Sequence, residues 1–278
     1  MEKILQVHEL MLAAKAFMVT SAELLNDLGS DEIIFDENEL IISSKIANEI
    51  YEISLRGVKK FRDGEKNELI EKFLDICVVI NGELHLAWNI KQEIMDSLEI
   101  EKERQINALA LRTHRKSSAG WEFRKKLNKN HEFNKRKERD FLNEMAELQK
   151  QNYYLWEYRR WLFNCLLSEE EKAEEVQEVK HFCEGHPSDS SSFHYCFYIM
   201  NHQKLNDEAY EWIVGICERF YSEKGLYDGI SLPGYETLHL FRAKSRKKEN
   251  DEEEINYIEE QIRLGRNQIA KLLRWTVE

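Results

Sequence analysis

The stretch Trp156-Glu-Tyr-Arg159 recurs in altered form along this sequence of 278 residues. The related segments are Trp88-Asn-Ile-Lys91, Trp121-Glu-Phe-Arg124, Phe193-His-Tyr-Cys196 and His239-Leu-Phe-Arg242. Their first residues are separated by 33, 35, 37 and 46 positions. A period near 35 is too long for one helix and suits a helix–turn–helix unit. The sequence therefore predicts an all-α fold built as an array of helical hairpins, and such arrays present surfaces to partners.

The composition also favours helices. Only two prolines occur, Pro187 and Pro233, and 33% of the residues are charged. A sheet-rich protein with many turns uses more proline, which averages about 5% of residues.

The charge balance and the apolar pattern argue against several classes of function. With 40 basic and 52 acidic residues, the formal net charge is −12, which argues against nucleic-acid binding. No stretch of 18 apolar residues predicts a transmembrane helix, and the acidic start is not a signal peptide. The five cysteines are scattered, as expected for buried, reduced thiols in a cytoplasmic protein.

The chain divides into two predicted regions. Residues 1–65 form an N-terminal extension, mostly helical, with a short extended piece at 33–42 that turns around Asp36 to Glu39. Residues 66–278 form the repeat array. A final helix from about Asp251 to Trp275 is expected to cap it, because an open end would expose an apolar face.

The repeated rings and bases have a predicted structural role. A large ring in each unit is expected to wedge between successive hairpins; these rings are Trp88, Trp121, Trp156, Phe193 and His239. Arg124, Arg159 and Arg242 follow three residues after a ring, on the same helix face. Each guanidinium can either bond carbonyls of a neighbouring turn or pair with an acid there.

The turns before the rings are candidates for partner contact. They are 116–120, 151–155 and 188–192, and loops on one edge of a helical array line up as a surface. Asn152, Tyr153 and Tyr154 suit such a contact, because tyrosine offers a large ring with a polar tip. In the alternative interpretation, Asn152 only caps its helix and Tyr153 packs locally.

Two other features of the sequence are its basic clusters, whose role stays open, and a group of histidine and cysteine residues, which does not predict a metal site. A basic cluster runs from Arg124 to Arg139 and another from Lys244 to Lys248, and each is either a solvated helix face or a dock for an acidic partner. His181, Cys183 and His186 do not have the spacing of a tight zinc site, so no metal is expected in this chain.

At Asn152-Tyr-Tyr-Leu-Trp-Glu-Tyr-Arg-Arg-Trp161 the chain closely resembles the Asn-Tyr-x-x-Trp-x-x-Arg repeat of protein prenyltransferase α subunits. The resemblance covers about residues 66 to 275, and its details are most similar to the α subunits of type-3 geranylgeranyltransferases. The supporting stretches are Ala87-Trp-Asn-Ile90, Lys116-Ser117, Ser192-Phe-His-Tyr195 and Gly234-Tyr-Glu-Thr-Leu238.

This resemblance implies a crescent of paired helices, an α-α superhelix, around a separate β subunit of the Rab geranylgeranyltransferase type. The β subunit would hold zinc and the lipid, so the α chain would carry no cofactor and would not be catalytic alone. The implied reaction transfers geranylgeranyl from its diphosphate to a C-terminal cysteine of a SNARE that already carries farnesyl. Two lipid chains anchor a protein stably where one is marginal.

The resemblance also carries over site residues. Lys116, five residues before Trp121, matches a lysine that approaches the isoprenoid diphosphate, and Tyr153 matches a tyrosine near the β-subunit site. Ser118 and Gln151 replace a tyrosine and a lysine of farnesyltransferase-type chains. Two alternatives stay open. One is a helical-repeat scaffold without enzymatic activity, because the repeats fix only the architecture and a fold does not settle function. The other is the α subunit of another protein prenyltransferase, against which the irregular fourth repeat and Gln151 count.

Overall fold

The computed structural model describes residues 1–21, 25, 33–186, 189–205, 208 and 212. The fifth predicted segment with His239 and Arg242, the loop at 222–234 and the capping helix at 251–275 lie outside these residues. The chain divides into two compact units, Met1–Tyr158 and Arg159–Glu278.

Helices dominate the described part of the chain, which confirms the predicted all-α class. The first unit holds α1 (Glu2–Ala13), α2 (Ser44–Arg62), α3 (Ile70–Ile80), α4 (His85–Glu93), a 3-10 turn (Met95–Ser97), α5 (Ile100–Thr113), α6 (Ser118–Asn130) and α7 (Lys135–Leu148). Helix α8 (Tyr153–Cys165) begins in the first unit and ends in the second, which also contains α9 (Glu169–Gly185) and α10 (Ser190–His202).

The predicted hairpins are present where the structure describes them. Trp88, Trp121, Trp156 and Phe193 each lie on the second helix of a pair. The pairs are α3–α4, α5–α6, α7–α8 and α9–α10. The stacking of the pairs into a superhelix stays a prediction.

A small sheet interrupts the N-terminal helices. Its strands β1 (Ala16–Thr20), β2 (Ile33–Asp36) and β3 (Glu39–Ser43) lie in the order β1-β3-β2. Strands β2 and β3 form an antiparallel hairpin, which confirms the predicted extended piece. Its turn residues Glu37 and Asn38 have φ of 45° and 69°, a conformation that asparagine tolerates well.

Strand β1 corrects the prediction that the N-terminal extension is helical apart from the extended piece at 33–42. Helix α1 ends at Ala13, and β1 pairs in parallel with β3, with Phe17 opposite Leu40. Both of these side chains are buried, at 7% and 0% exposure. The N-terminal region is therefore part helix and part sheet.

The N-terminal elements pack on the first hairpin. A continuous core of buried apolar side chains extends from Ile4 on α1 to Leu127 on α6. Helix α2 packs on α3, and Gly57 is required there, because a Cβ at this position would lie 2.3 Å from Cδ2 of Phe73. The predicted boundary between residues 65 and 66 concerns where the repeats begin and stays a prediction.

Side chains before several helices satisfy their free backbone amides. Oγ of Ser168 accepts from the amide of Glu171, and the Glu171 carboxylate accepts from the amide of Ser168, which forms a capping box at the start of α9. Asn134 caps α7, and Asp189 caps α10 through the amides of Ser191 and Ser192. Such caps fix where each helix begins.

Candidate functional site

The turn between α3 and α4 is tied to the turn between α5 and α6. The carbonyl oxygen of Gly82 accepts from Nε1 of Trp88 at 2.8 Å and from Oγ of Ser117 at 2.6 Å. Oγ of Ser117 also accepts from the amide of Gly120 at 3.0 Å, so Ser117 caps α6 at the same time. One serine therefore starts a helix and links it to the preceding hairpin.

The next turn repeats this arrangement with different residues. The carbonyl oxygen of Arg115 accepts from Nε1 of Trp121 at 2.9 Å and from Nδ2 of Asn152 at 2.7 Å. Oδ1 of Asn152 accepts from the amide of Leu155 at 3.3 Å, which caps α8. Asn152 therefore has the role of Ser117, one hairpin later.

These bonds bring candidate surface residues onto adjacent turns. Lys116 is exposed, and the exposed fractions of Tyr153 and Tyr154 are 64% and 38%. The two tyrosine rings meet edge to face with their centroids 5.6 Å apart. We call Arg115, Lys116, Tyr153 and Tyr154 the turn edge.

Asn152 lies beneath the turn edge rather than on it. Its exposed fraction is 0%, and its amide oxygen and nitrogen are both hydrogen-bonded within the first unit. This is the geometry of the capping interpretation. The exposed tyrosines beside it keep the area and the polar tips that a partner could contact.

Each repeated base in the described hairpins is buried and paired with an acid. Nε of Arg124 donates to Oε1 of Glu138 and Nη2 donates to Oε2, both at 2.7 Å. Nη1 donates to Oδ1 of Asn107 at 3.0 Å. The hydroxyl of Tyr158 donates to the same carboxylate at 2.7 Å. The Arg124 guanidinium also lies 3.9 Å from the ring centroid of Phe141.

The second unit contains the same arrangement. Nε and Nη2 of Arg159 donate to the carboxylate of Glu175 at 2.8 and 2.9 Å, and the hydroxyl of Tyr195 donates to it at 2.8 Å. Of the two partners predicted for the arginines, the structure therefore shows the acid. A two-pronged pair of this kind fixes geometry more firmly than a single contact.

The first hairpin has a lysine in place of the arginine and a larger network. Nζ of Lys91 lies 2.5 Å from carboxylate oxygens of both Asp75 and Glu103. Asp75 also contacts Nε2 of His8 at 2.8 Å and Nζ of Lys102 at 3.5 Å. Helix α1 is thus joined to the first hairpin by a polar contact inside the core.

The pKa shifts follow from this burial and pairing. Burial alone would raise the pKa of Glu138, but the Arg124 charge and hydrogen bonds bring it below the ordinary 4.5. Burial, then the charge of Glu138, raises the pKa of Tyr158 well above 10, so its hydroxyl keeps the proton that it donates. Around Lys91, the pKa of Asp75 is lowered, and burial leaves that of Glu103 raised.

The remaining repeat positions are structural. The exposed fractions of Trp88, Trp121 and Trp156 are 1%, 3% and 3%, and that of Phe193 is 0%. The ring of Phe193 stacks on Trp212 with centroids 6.1 Å apart. Cys196, at the base position of its repeat, is a buried thiol whose pKa is raised by that burial.

Sequence reasoning missed the acids and hydroxyls that complete these pairs. Tyr158 and Tyr195 each stand two residues after a repeated ring, as Phe123 does in the second repeat. The ring of Phe123 packs against Trp88 at a tilted angle, with centroids 5.1 Å apart. The aromatic residue at this second position therefore recurs in the repeats and can be recognised from the sequence alone. No such pattern distinguishes Glu138 and Glu175 from the other acids among the 52 acidic residues.

Two other features do not occur among the described residues, a cluster of metal ligands and a membrane-spanning helix. No group of three or more His, Cys, Asp or Glu side chains is placed to hold a metal ion within that part of the chain. Across the same residues, every helix is too short or too polar to cross a bilayer.

Comparison with known proteins gives one family match. A model of the ECM9 middle domain matches residues 120–220. The matched segment contains Trp121, Trp156 and Phe193, the rings of three successive hairpins. No curated protein shows significant similarity to the chain.

Proposed function

We propose that this chain is the non-zinc α subunit of a heterodimeric protein geranylgeranyltransferase of type 3. The observation that carries the proposal is the hydrogen bond from Asn152 to the Arg115 carbonyl. It holds exposed Lys116 and exposed Tyr153 on adjacent turns. These are the two residues that correspond to α-subunit residues near the active site in the family that the sequence resembles.

Lys116 suits a position beside a leaving diphosphate. In the proposed reaction, the sulfur of a substrate cysteine bonds to C1 of the geranylgeranyl group, the thiol proton is lost, and the bond from C1 to the diphosphate oxygen breaks. Negative charge develops on the departing diphosphate, and a nearby ammonium stabilises it. Exposed Lys116 makes no ion pair in the described part of the chain, so its charge is available for such a contact.

Zinc belongs to the β subunit in this proposal. Bound to the substrate thiolate, it supplies a deprotonated and nucleophilic sulfur at neutral pH. The β subunit also holds the lipid, and the α chain provides a rigid support. The buried Arg124–Glu138 and Arg159–Glu175 pairs suit that role within their respective units, because each links neighbouring helices.

Co-expression with a Rab-type β subunit tests the assembly. We expect a stable one-to-one complex, seen as a single peak in size-exclusion chromatography with both chains in the same mass spectrum. Purified complex should add one geranylgeranyl mass to a peptide that ends in a farnesylated SNARE-type sequence with a second cysteine. Failure of the chains to co-purify would overturn the proposal.

The second candidate is a helical-repeat scaffold without enzymatic activity. Ser118 and Gln151 favour it, since neither can make the contact of the tyrosine or lysine that farnesyltransferase-type chains have there. A complex that assembles but adds no prenyl group to any farnesylated or unmodified cysteine peptide would support the scaffold. Transfer of farnesyl instead of geranylgeranyl would assign the chain to another prenyltransferase.

A further inference from the structure

A group of cations surrounds the turn between α6 and α7, inside the basic cluster of the sequence. We define the cation patch as the three exposed cations Lys129, Arg136 and Lys137 with the half-buried Lys125, Lys126 and Lys135. Arg124 is not part of it, because its charge is buried against Glu138. The chain has a net charge of −12, so the patch is a positively charged region on a protein that is negatively charged overall.

Three members of the patch project into solvent without a counter-charge. Lys129, Arg136 and Lys137 are exposed, and none makes an ion pair within the residues that the structure describes. The exposed acid in this turn is Glu132, whose backbone carbonyl accepts from Arg104 at 2.7 Å. The patch therefore keeps a strong positive excess.

The start of α7 adds to this excess. Lys135, Arg136 and Lys137 occupy its first turn, where the helix dipole already favours negative charge. Glu138 would normally offset them, but its carboxylate points into the core and is used by Arg124 and Tyr158. Contact with an anionic surface would relieve this unfavourable arrangement.

We propose that the cation patch docks the protein on an anionic membrane leaflet. Five of its six members are lysines. A lysine ammonium is a strongly hydrated point charge on a flexible side chain, whereas an arginine guanidinium binds one carboxylate in a bidentate manner. Such a group suits many mobile headgroups better than a fixed acidic side chain on a protein. Juxtaposed lysines and arginines are attracted to the negative potential of phosphatidylserine-containing leaflets.

The turn within the patch also carries an aromatic ring. Phe133 is half-buried between the ends of α6 and α7, with the Arg104 guanidinium 6.0 Å from its ring centroid. Arg104 also donates to the carbonyl of His131 at 3.4 Å, so the turn is held in place. Phenylalanine side chains on membrane-bound segments enter the boundary between headgroups and acyl chains.

The acidic remainder of the chain does not prevent this docking. Charges further than the Debye length, about 8 Å at physiological ionic strength, are largely screened from the leaflet. Between Lys125 and Lys137, the six cations of the patch stand beside a single exposed acid, Glu132. Docking through the cation patch does not require the proposed transferase activity.

Co-sedimentation of the full chain with vesicles tests the docking. Vesicles of phosphatidylcholine with phosphatidylserine should bind the chain, and vesicles of phosphatidylcholine alone should not. The triple variant Lys129→Glu, Arg136→Glu, Lys137→Glu should bind at least about tenfold more weakly, since each basic residue near the surface contributes separately. Binding should also fall as salt is raised.

A matched control separates the patch from total charge. Lys45→Glu, Arg56→Glu, Lys59→Glu changes the same residue types at exposed positions of α2, and it should leave vesicle binding unchanged. Circular dichroism should show both triple variants folded. Equal binding to both kinds of vesicle, or an equal loss in the control, would overturn the proposal. Binding to a polyglutamate peptide but not to vesicles would also overturn it and would indicate an acidic protein as the partner.

Discussion

Nδ2 of Asn152 donates to the carbonyl oxygen of Arg115, although the two residues stand 37 positions apart. The same amide side chain caps α8 through its oxygen. One residue therefore starts a helix, fixes it to the preceding hairpin, and joins the turn that carries Lys116 to the turn that precedes Tyr153. Ser117 does the same towards Gly82 over 35 positions, so this connection recurs with the period of the repeat.

Two substitutions of Asn152 test the contributions of its two hydrogen bonds to stability. Asn152→Asp keeps an acceptor for the Leu155 amide but turns an oxygen towards the Arg115 carbonyl, whereas Asn152→Ala loses both bonds. Each variant should lose about 1–3 kcal/mol of unfolding free energy at neutral pH, the cost of an unsatisfied buried group. Urea unfolding followed by circular dichroism measures this.

The aspartate variant should regain stability in acid. Its new carboxyl is buried against a carbonyl, so its pKa should rise on folding, and stability should increase as pH falls through that raised pKa. A protonated carboxyl can donate to the Arg115 carbonyl as the amide does. Asn152→Ala has no such group and serves as the control. Parallel pH profiles for the two variants would contradict this geometry.

Arg124→Ala should destabilise the first unit strongly. The change leaves the Glu138 carboxylate buried without its cation, and breaking one partner of a buried pair costs about 3–5 kcal/mol. The urea midpoint measures the loss. Arg136→Ala, a change of the same kind at an exposed position, should stay within about 0.5 kcal/mol of the parent. Similar losses for the two variants would show that Arg124 is not held as described.

Glu138→Gln should reveal the acid dependence of the same pair. The pKa of Glu138 is lowered on folding, so its contribution to stability is present above the ordinary value of 4.5 and is lost as pH falls through the folded value. The stability difference between parent and variant should therefore be largest near neutral pH and shrink below about pH 4.5. A difference that does not depend on pH would contradict the lowered pKa.

The sequence predicted the helical pairs because the ring spacing is a property of the chain itself. Trp88, Trp121, Trp156 and Phe193 mark the second helices, and Ser168 with Glu171 marks the start of α9. Strand β1 was not predictable, because Ala16 to Thr20 becomes a strand only by pairing with β3. The acids opposite Lys91, Arg124 and Arg159 follow them by 12, 14 and 16 residues, an uneven spacing that no sequence pattern marks. At the turn edge, the sequence identified Lys116 and Tyr153, but only the fold shows that Asn152 lies beneath them.

Gly57→Ala should be destabilising in spite of helix propensity. Alanine is favoured over glycine inside a helix by about 1 kcal/mol. The added methyl would lie 2.3 Å from Phe73, and overpacking of a core costs about 1–3 kcal/mol. The net change should therefore lower the midpoint of thermal unfolding. The double variant Gly57→Ala, Phe73→Leu should recover part of the loss, and a single variant more stable than the parent would show that α2 and α3 are further apart.

Lys116→Ala and Tyr153→Ala should separate catalysis from assembly. Both side chains are exposed, so neither change should move the unfolding free energy by more than about 0.5 kcal/mol. Removing the lysine should slow prenyl transfer by about 10²-fold or more, the effect of losing one group that stabilises developing charge. Its complex with the β subunit should form as well as that of the parent.

Tyr153→Ala removes contact area without removing charge, so we expect it to weaken the complex, measured by the β-subunit concentration needed for half-maximal binding. Lys116→Arg keeps a cation and should recover part of the transfer rate, which Lys116→Ala cannot do. If Lys116→Ala transfers at the rate of the parent, the lysine does not reach the diphosphate and the turn edge serves assembly alone.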